Sequence, residues 1–255
     1  MYKDLISIVM PAYNSSEFIS QSIRSVINQN YTYWELIVVD DSSTDNTSYI
    51  IENFAKKDNR IKLLTLKQNS GVSASRNFGT KNANGRFIAF IDSDDIWMED
   101  KLSMQIDFLK LKKAPFTFSA YDVIDEKDNK ISTFLPSCSM DYKLMLKGSQ
   151  IGCSTVIYDS SLLGPLLFPE CGNEDYVLWL QVLKKYGPQE GVDSPLVKYR
   201  IRKNSRSANK YLSAKNQWTI YRKIEKLSFL TSVFYFIHYS IKGFFKYKRN
   251  ERKCL

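Results

Sequence analysis

The run Asp92-Ser-Asp-Asp95 sets three carboxylates within four residues. In a D-x-D turn, Asp92 and Asp94 aim the same way, with the small Ser93 between them. Hard dications take oxygen ligands, and Mg²⁺ is commonly held by one or two carboxylates plus substrate phosphates. Such a pair can hold a metal-bound diphosphate and touch a ribose hydroxyl. The competing explanation is an Asx-rich turn that caps a helix. The apolar Phe87–Ile91 before the turn and Trp97 after it favour a site.

Four other runs could join it. Asp40-Asp41 also ends an apolar segment, and an acid there can accept hydrogen bonds from a ribose or a base N–H. Ser42, Ser43 or Asp45 can cap the next helix, so Asp40 and Asp41 are expected to be free for a ligand. In Asn69–Asn77, Gly71 precedes a helix that carries Arg76, a pairing of backbone N–H groups and guanidinium that suits phosphate. It is not G-x-G-x-x-G, and no Gly-Lys-Ser/Thr loop is present, so dinucleotide and P-loop readings lose their main support. Glu174 and Asp175 open an amphipathic helix, where acids complement the helix dipole. There one of them could also be a general base that deprotonates an acceptor hydroxyl. Tyr199–Ser207 concentrates cations and hydroxyls, as a phosphate-clamping lid or as a solvated loop.

The elements around these runs alternate. Strands are predicted at Ser7–Pro11, Glu35–Val39, Ile61–Leu66 and Arg86–Ile91. Between them lie helices: one opened by Asn14-Ser-Ser-Glu17 as a capping box, then Thr44–Lys56 and Val72–Ala83. Strand–helix alternation with short connections means an α/β fold with a mostly parallel sheet covered on both faces. Ligands bind such sheets beyond the C-terminal strand ends. That singles out Pro11, Ala12, Tyr13 and Asn14 after the first strand, Asp40 and Asp41 after the second, and Asp92–Asp95 after the fourth. Two acid clusters at one sheet edge repel, so a cation or hydrogen-bond donor is expected between them. Farther on come a helix over Asp100–Lys113, a hairpin of Phe116–Ile124 and Ile131–Leu135, and a strand at Ser154–Tyr158. A helix over Asp175–Tyr186, a strand at Leu196–Arg202 and two helices, about 211–226 and 228–246, complete the chain.

Composition removes several classes of function. With 255 residues, 44% hydrophobic and 25% charged, the chain is neither disordered nor collagen-like. His238 is the single histidine, so no multi-His zinc site can be built. Cys138, Cys153, Cys171 and Cys254 form no CxxC pair and are expected to be reduced thiols. No basic-then-apolar leader precedes the first strand, which predicts a cytoplasmic location. The net charge of +9 is uneven: residues 198–255 carry +14 and residues 1–197 carry −5.

In order along the chain, these motifs resemble the inverting family 2 glycosyltransferases with a GT-A fold. The resemblance rests on Ser7-Ile-Val-Met-Pro-Ala-Tyr-Asn14, Leu36–Asp45, Gly71–Asn77, Ala89–Trp97, Glu174-Asp175 and the Tyr199–Ser207 loop. It covers residues 5–207, and its flavour is that of bacterial enzymes that build O-antigen, capsule or teichoic-type glycans. It implies a GT-A domain over 1–207, with a nucleotide-sugar half to about residue 97 and an acceptor half from 98. A basic helical extension follows over 208–255. It implies that Pro11, Ala12, Tyr13 and Asn14 line the nucleotide pocket, that Asp40 or Asp41 binds uracil or ribose, and that Arg76 lies against the nucleotide. It implies that Asp92 contacts ribose or metal-bound water beside Ser93, and that Asp94 coordinates Mn²⁺ or Mg²⁺ on the diphosphate. Asp175 is implied as catalytic base, with Glu174 as rival. Many members carry a His in the loop after the last strand. Here Arg202 stands in that place, which removes a third protein ligand and implies that Arg202 binds the diphosphate directly.

The implied reaction moves a hexose or N-acetylhexosamine from a UDP-sugar to a polyprenyl-diphosphate-linked glycan in surface polysaccharide synthesis. A catalytically decayed binding module of the same fold is the alternative, and the intact acid set disfavours it. Leu230, Val233, Phe234, Ile237, Ile241, Phe244 and Phe245 can share one helix face, with Lys242, Lys246, Lys248 and Arg249 near its polar edge. That pattern predicts peripheral docking on the inner leaflet of the cytoplasmic membrane. Packing on the body, or on a second copy as a homodimer, is the competing expectation. The tail's aromatics are segregated from its cations rather than interleaved with them, so nucleic acid is not an expected partner.

Overall fold

The computed structural model describes residues 2–202 and 210–245. The first part alternates as predicted: β1 (Tyr2–Ala12), α1 (Ile19–Ile27), β2 (Trp34–Asp40), α2 (Thr47–Ala55), β3 (Ile61–Thr65), α3 (Val72–Lys81) and β4 (Gly85–Phe90). There follow β5 (Ile96–Trp97), α4 (Lys101–Lys112), β6 (Phe116–Ile124), β7 (Lys130–Phe134), β8 (Ser139–Met140) and α5 (Tyr142–Leu146). Next come β9 (Ile157–Asp159), α6 (Ser160–Leu163), α7 (Glu174–Tyr186) and β10 (Gln189–Arg200). The C-terminal helices are α8 (Lys210–Thr219), a π-helical turn at Ile220–Ile224, and α9 (Phe229–Phe245).

The strands order as β3-β2-β1-β4-β9-β6-β10-β5, with β7 on β6 and β8 on β10. β3, β2, β1 and β4 run parallel. β9 sits antiparallel between β4 and β6, and β6 and β10 are parallel again. This short reversed strand therefore joins the two halves of the chain into one sheet. Alternate residues of β1 enter opposite cores: Ile6, Ile8 and Met10 pack with α1 and α4, whereas Val9 packs with the side that holds Trp179 of α7. Every residue of β2 is buried, as a parallel strand with covered faces requires.

Three expectations are corrected. α1 begins at Ile19 behind Phe18, which supplies no side-chain cap. Asn14 is in the left-handed region, so the chain turns away before the predicted capping box can form. Its carboxamide instead accepts the Thr44 N–H at 2.8 Å, Asp45 accepts the Ser16 N–H, and Thr47 Oγ1 accepts the Ser15 N–H. The loops after β1 and β2 are thereby stitched together. β10 begins at Gln189, ahead of the predicted Leu196, and irregular register around Pro195 hides its N-terminal half from a periodicity reading. Cys153 and Cys171 carry free thiols, whereas Cys138 is disulfide-bonded, against the expectation of a reduced thiol there.

Candidate active site

The turn after β4 is held from beneath. Asp95 is buried, accepts the Ser154 hydroxyl at 2.5 Å and accepts the Arg200 backbone N–H at 3.0 Å. Ser154 Oγ in turn accepts the Asp92 N–H at 3.0 Å. Burial and the charges of Asp94 and Asp92 push the Asp95 carboxyl well above the usual range. Arg200 locks the same turn: its Nε donates to the Asp94 carbonyl at 2.9 Å, and its Nη atoms reach Asp128 and Gln21 at 2.6 and 2.8 Å. Ser93 is tied to the α1 side, its hydroxyl 2.8 Å from that of Ser15 and its carbonyl accepting the Ser22 hydroxyl at 2.9 Å. With Asp95 turned inward, Asp92 and Asp94 remain partly open at the sheet edge.

A cation faces each of these two acids. Arg202 Nε lies 2.7 Å from Asp94 Oδ2. Burial and Asp92 raise the Asp94 carboxyl, and the Arg202 charge opposes them. Asp92 pairs with Arg76 Nη2 at 2.7 Å, while Arg76 Nη1 reaches Glu174 at 2.9 Å. Arg76 is buried, and its guanidinium carbon stands 5.0 Å from the centre of the Phe168 ring. The cation expected between the two acid clusters is not found there: Arg76 links the β4 turn to α7, and Asp40 and Asp41 are satisfied by hydroxyl and backbone donors.

Asp175 follows Glu174 at the N-terminus of α7, where the left-handed Asn173 ends the incoming loop. Glu174 is buried and ion-paired, whereas Asp175 has no ion pair among those formed by the described residues and accepts its neighbour Tyr176's N–H at 2.7 Å. Burial, Glu174 and Asp92 push Asp175 up to about 6, with Arg76 pulling the other way. A carboxylate poised near neutral pH suits a general base. Tyr121 feels the charges of both Asp95 and Asp175, and the buried Cys153 those of Arg76, Asp92, Glu174 and Asp175.

The nucleotide-side residues divide. Pro11 and Ala12 are buried in β1, while Tyr13 and Asn14 are exposed. The expectation that Asp40 and Asp41 stand free is corrected. Asp40 accepts the Ser43 and Ser48 hydroxyls, and Asp41 accepts the Ser70 and Gly71 N–H groups at 2.7 and 2.8 Å. Asp41 thereby fixes the start of α3, where Gly71 needs its positive φ of 87°. Arg76, expected to lie against the nucleotide, is buried and gives its two Nη groups to Asp92 and Glu174. Of the Tyr199–Ser207 run, Tyr199 and Arg200 belong to β10, and residues 203–207 lie outside the described residues, as do Lys246, Lys248 and Arg249. Sequence reasoning missed Ser154 and Arg200 as supports of the turn. The end of the last strand was the one signal for Arg200.

No group of three or more His, Cys, Asp or Glu among the described residues could hold a metal ion. Asp92 and Asp94 nonetheless fit a dication that draws its remaining ligands from phosphate and water, the usual manner of Mg²⁺. Burial, and after it the Asp92 charge, raise the Asp94 carboxyl, and a cation seated between the two acids would relieve the repulsion.

The mostly parallel sheet with helices on both faces is the GT-A fold, as similar solved structures show. The S. aureus TarS fragment 1–349 in complex with UDP-GlcNAc superposes with a TM-score of 0.70 at 23% identity, covering 85% of this chain and 64% of that one. The chain thus spans just under two thirds of that TarS fragment. The mannosyltransferase PcManGT of Pyrobaculum calidifontis, in complex with GDP-Man and Mn²⁺, gives 0.64 at 18% identity, covering 88% and 64%. The chain belongs to glycosyl transferase family 2, whose profile matches residues 7–155. The putative teichuronic acid biosynthesis glycosyltransferase TuaG of Bacillus subtilis is 36% identical over 94% of this chain and 96% of its own. The UDP-Glc:alpha-D-GlcNAc-diphosphoundecaprenol beta-1,3-glucosyltransferase WfgD of Escherichia coli is 39% identical over 97% and 98%.

Proposed function

We propose that this family 2 glycosyltransferase transfers a hexose or N-acetylhexosamine from a UDP-sugar to a hydroxyl of a polyprenyl-diphosphate-linked glycan, inverting the anomeric centre. The carrying observation is the convergence of Asp92, Arg76, Glu174 and Asp175: one guanidinium joins the β4 turn to the start of α7, beside Asp175, which has no ion pair among the described residues and is raised to about 6. The names of WfgD and WfaP, both acting on a GlcNAc-diphosphoundecaprenol, support the acceptor class. A lipid-borne acceptor assigns the reaction to the inner face of the cytoplasmic membrane.

Tyr13 and Asn14, with Asp41 behind them, would receive the nucleotide, and Arg202 would meet the diphosphate. Asp94 and Asp92 would hold Mn²⁺ or Mg²⁺, which when bound supplies charge stabilisation for the departing UDP. Asp175 takes the acceptor hydroxyl proton, and that oxygen attacks the anomeric carbon from the face opposite UDP. One displacement turns an α-linked donor into a β-linked product. Glu174 is committed to Arg76, and its charge raises the neighbouring Asp175, which acts as the base.

The test is release of UDP from a panel of UDP-sugars with a short polyprenyl-diphosphate-GlcNAc acceptor, with and without chelator. Metal-dependent release from one or two donors and a β-linked product support the reading. No turnover together with no nucleotide binding by calorimetry overturns it.

A further inference from the structure

α9 leaves one side uncovered. Leu230, Phe234, Ile237 and Ile241 recur at i, i+4, i+7 and i+11, one helix stripe, and each is at least half exposed. The other side is packed. Phe236 meets the Trp218 ring edge-on at 5.5 Å, Tyr235 lies against Tyr221, and Ser232 is buried. The stripe is therefore held facing outward, away from the described residues that pack the other side.

Charge says what would cover it. Phe229–Phe245 contains no acid, and residues 246–255 hold five Lys and Arg against Glu251. A 17-residue helix is about 25 Å long. No described helix is long and apolar enough to cross a membrane. An apolar helix stripe in a stretch of sequence this rich in cations suits the plane of an anionic bilayer surface.

The extension is also clasped to the helix that carries Asp175. Ile220 and Tyr221 are buried against the α7 core, and the Tyr221 hydroxyl donates to the Leu146 carbonyl. Glu225 accepts the Tyr142 hydroxyl at 2.5 Å and pairs with Lys184 of α7 at 3.2 Å. Asn216 packs so tightly on Gly172 that a Cβ there would lie 2.2 Å from its side chain. Gly172 stands three residues before Asp175.

We propose that the Leu230, Phe234, Ile237 and Ile241 stripe docks the protein on an anionic lipid surface, and that the α8 clasp holds that surface in fixed register with Asp175. The inference rests on the lipid-borne acceptor proposed above. It explains why the extension grips the acceptor-side helix rather than the nucleotide side.

The experiment is co-sedimentation of the full chain with phosphatidylglycerol-containing vesicles, compared with vesicles of phosphatidylcholine alone. Wild type should pellet with the anionic vesicles and be released by salt. The Leu230→Asp/Ile237→Glu pair should partition more than about tenfold less. It should keep its melting temperature and release UDP with a short water-soluble acceptor at a rate within about twofold. Ile241→Ser, a milder surface change, should weaken binding to a lesser degree. Wild type left in the supernatant, or a double variant that binds like wild type, overturns docking. So does a dimer split by the double variant with vesicle binding unchanged, since the stripe then belongs to a second copy. Vesicle binding is read without catalysis, so failure of the transferase reading leaves this result separately visible.

Discussion

Arg76 Nη1 stands 2.9 Å from Glu174 Oε1, across 98 residues of chain, and the same guanidinium holds Asp92 with Nη2. One side chain thereby ties the turn after β4 to the start of α7. The ion pair commits Glu174 to Arg76 and leaves Asp175, its neighbour on α7, outside that bridge.

Replacing Arg76 should therefore harm both stability and chemistry. Arg76→Met leaves two carboxylates facing each other, one of them buried, a change that costs about 3–5 kcal/mol. Arg76→Lys should recover only part, because an ammonium cannot span both partners as a forked guanidinium does. Thermal melts measure the loss. Removing Arg76 also removes the charge that pulls Asp175 down, so the acid limb of the rate profile should move to higher pH.

The pH profile of the wild type follows from Asp175. Its carboxyl must be ionised to accept a proton, and burial beside Glu174 sets its titration at about 6. kcat/KM should fall about tenfold per unit below that pH, and the limb should vanish in Asp175→Asn. The raised value also means that charging Asp175 opposes folding. The penalty is absent below the carboxyl's unfolded value, grows as pH rises toward about 6 and is full above it. Asp175→Asn should hence melt higher than wild type at pH 7.5.

Asp94 and Arg202 should separate by metal response. Asp94→Ala should abolish the rise in activity with Mn²⁺, and excess chelator should bring wild type to the same level. Arg202→Ala frees Asp94 from a cation 2.7 Å away. It should keep metal dependence while slowing UDP release by about 10²-fold, the scale of losing one charge-stabilising donor. Steady-state rates against Mn²⁺ concentration check both. Equal metal response in the two variants would contradict the assignment.

Lys101 gives a prediction about stability alone. It is fully buried at the start of α4, its ammonium nitrogen 4.0 Å from the Trp97 ring centre and without a hydrogen-bond partner. Burial drives it well below the usual lysine range, so protonation opposes folding at neutral pH. Lys101→Met keeps the volume and removes that cost. The variant should melt at least as high as wild type, with unchanged kcat.

Much of the first hundred residues was legible because burial there is periodic. β2 is apolar throughout, and the α1 residues Ile19, Ile23 and Val26 repeat on one face. β9 was legible as a strand but not in its antiparallel place between β4 and β6, since pairing across some 70 residues leaves no local trace. The placing of the acid runs at one sheet edge was legible because each comes at the end of a parallel strand. Their partners were not. An Arg near a helix start serves a phosphate or a carboxylate equally well, and only the approach of α7 decides for Asp92 and Glu174. Asp40 and Asp41 were misread for a related reason: Ser48, Ser70 and Gly71 reach them only once α2 and α3 have docked.

The most direct test is the single-turnover transfer rate of Asp175→Asn against wild type, with a saturating UDP-sugar donor and a polyprenyl-diphosphate-GlcNAc acceptor. A loss of about 10²–10⁴-fold, with donor affinity kept, is the predicted result for removal of a general base. A rate within tenfold of wild type, or an equal loss in donor binding, would contradict the assignment of Asp175 as the group that takes the acceptor proton.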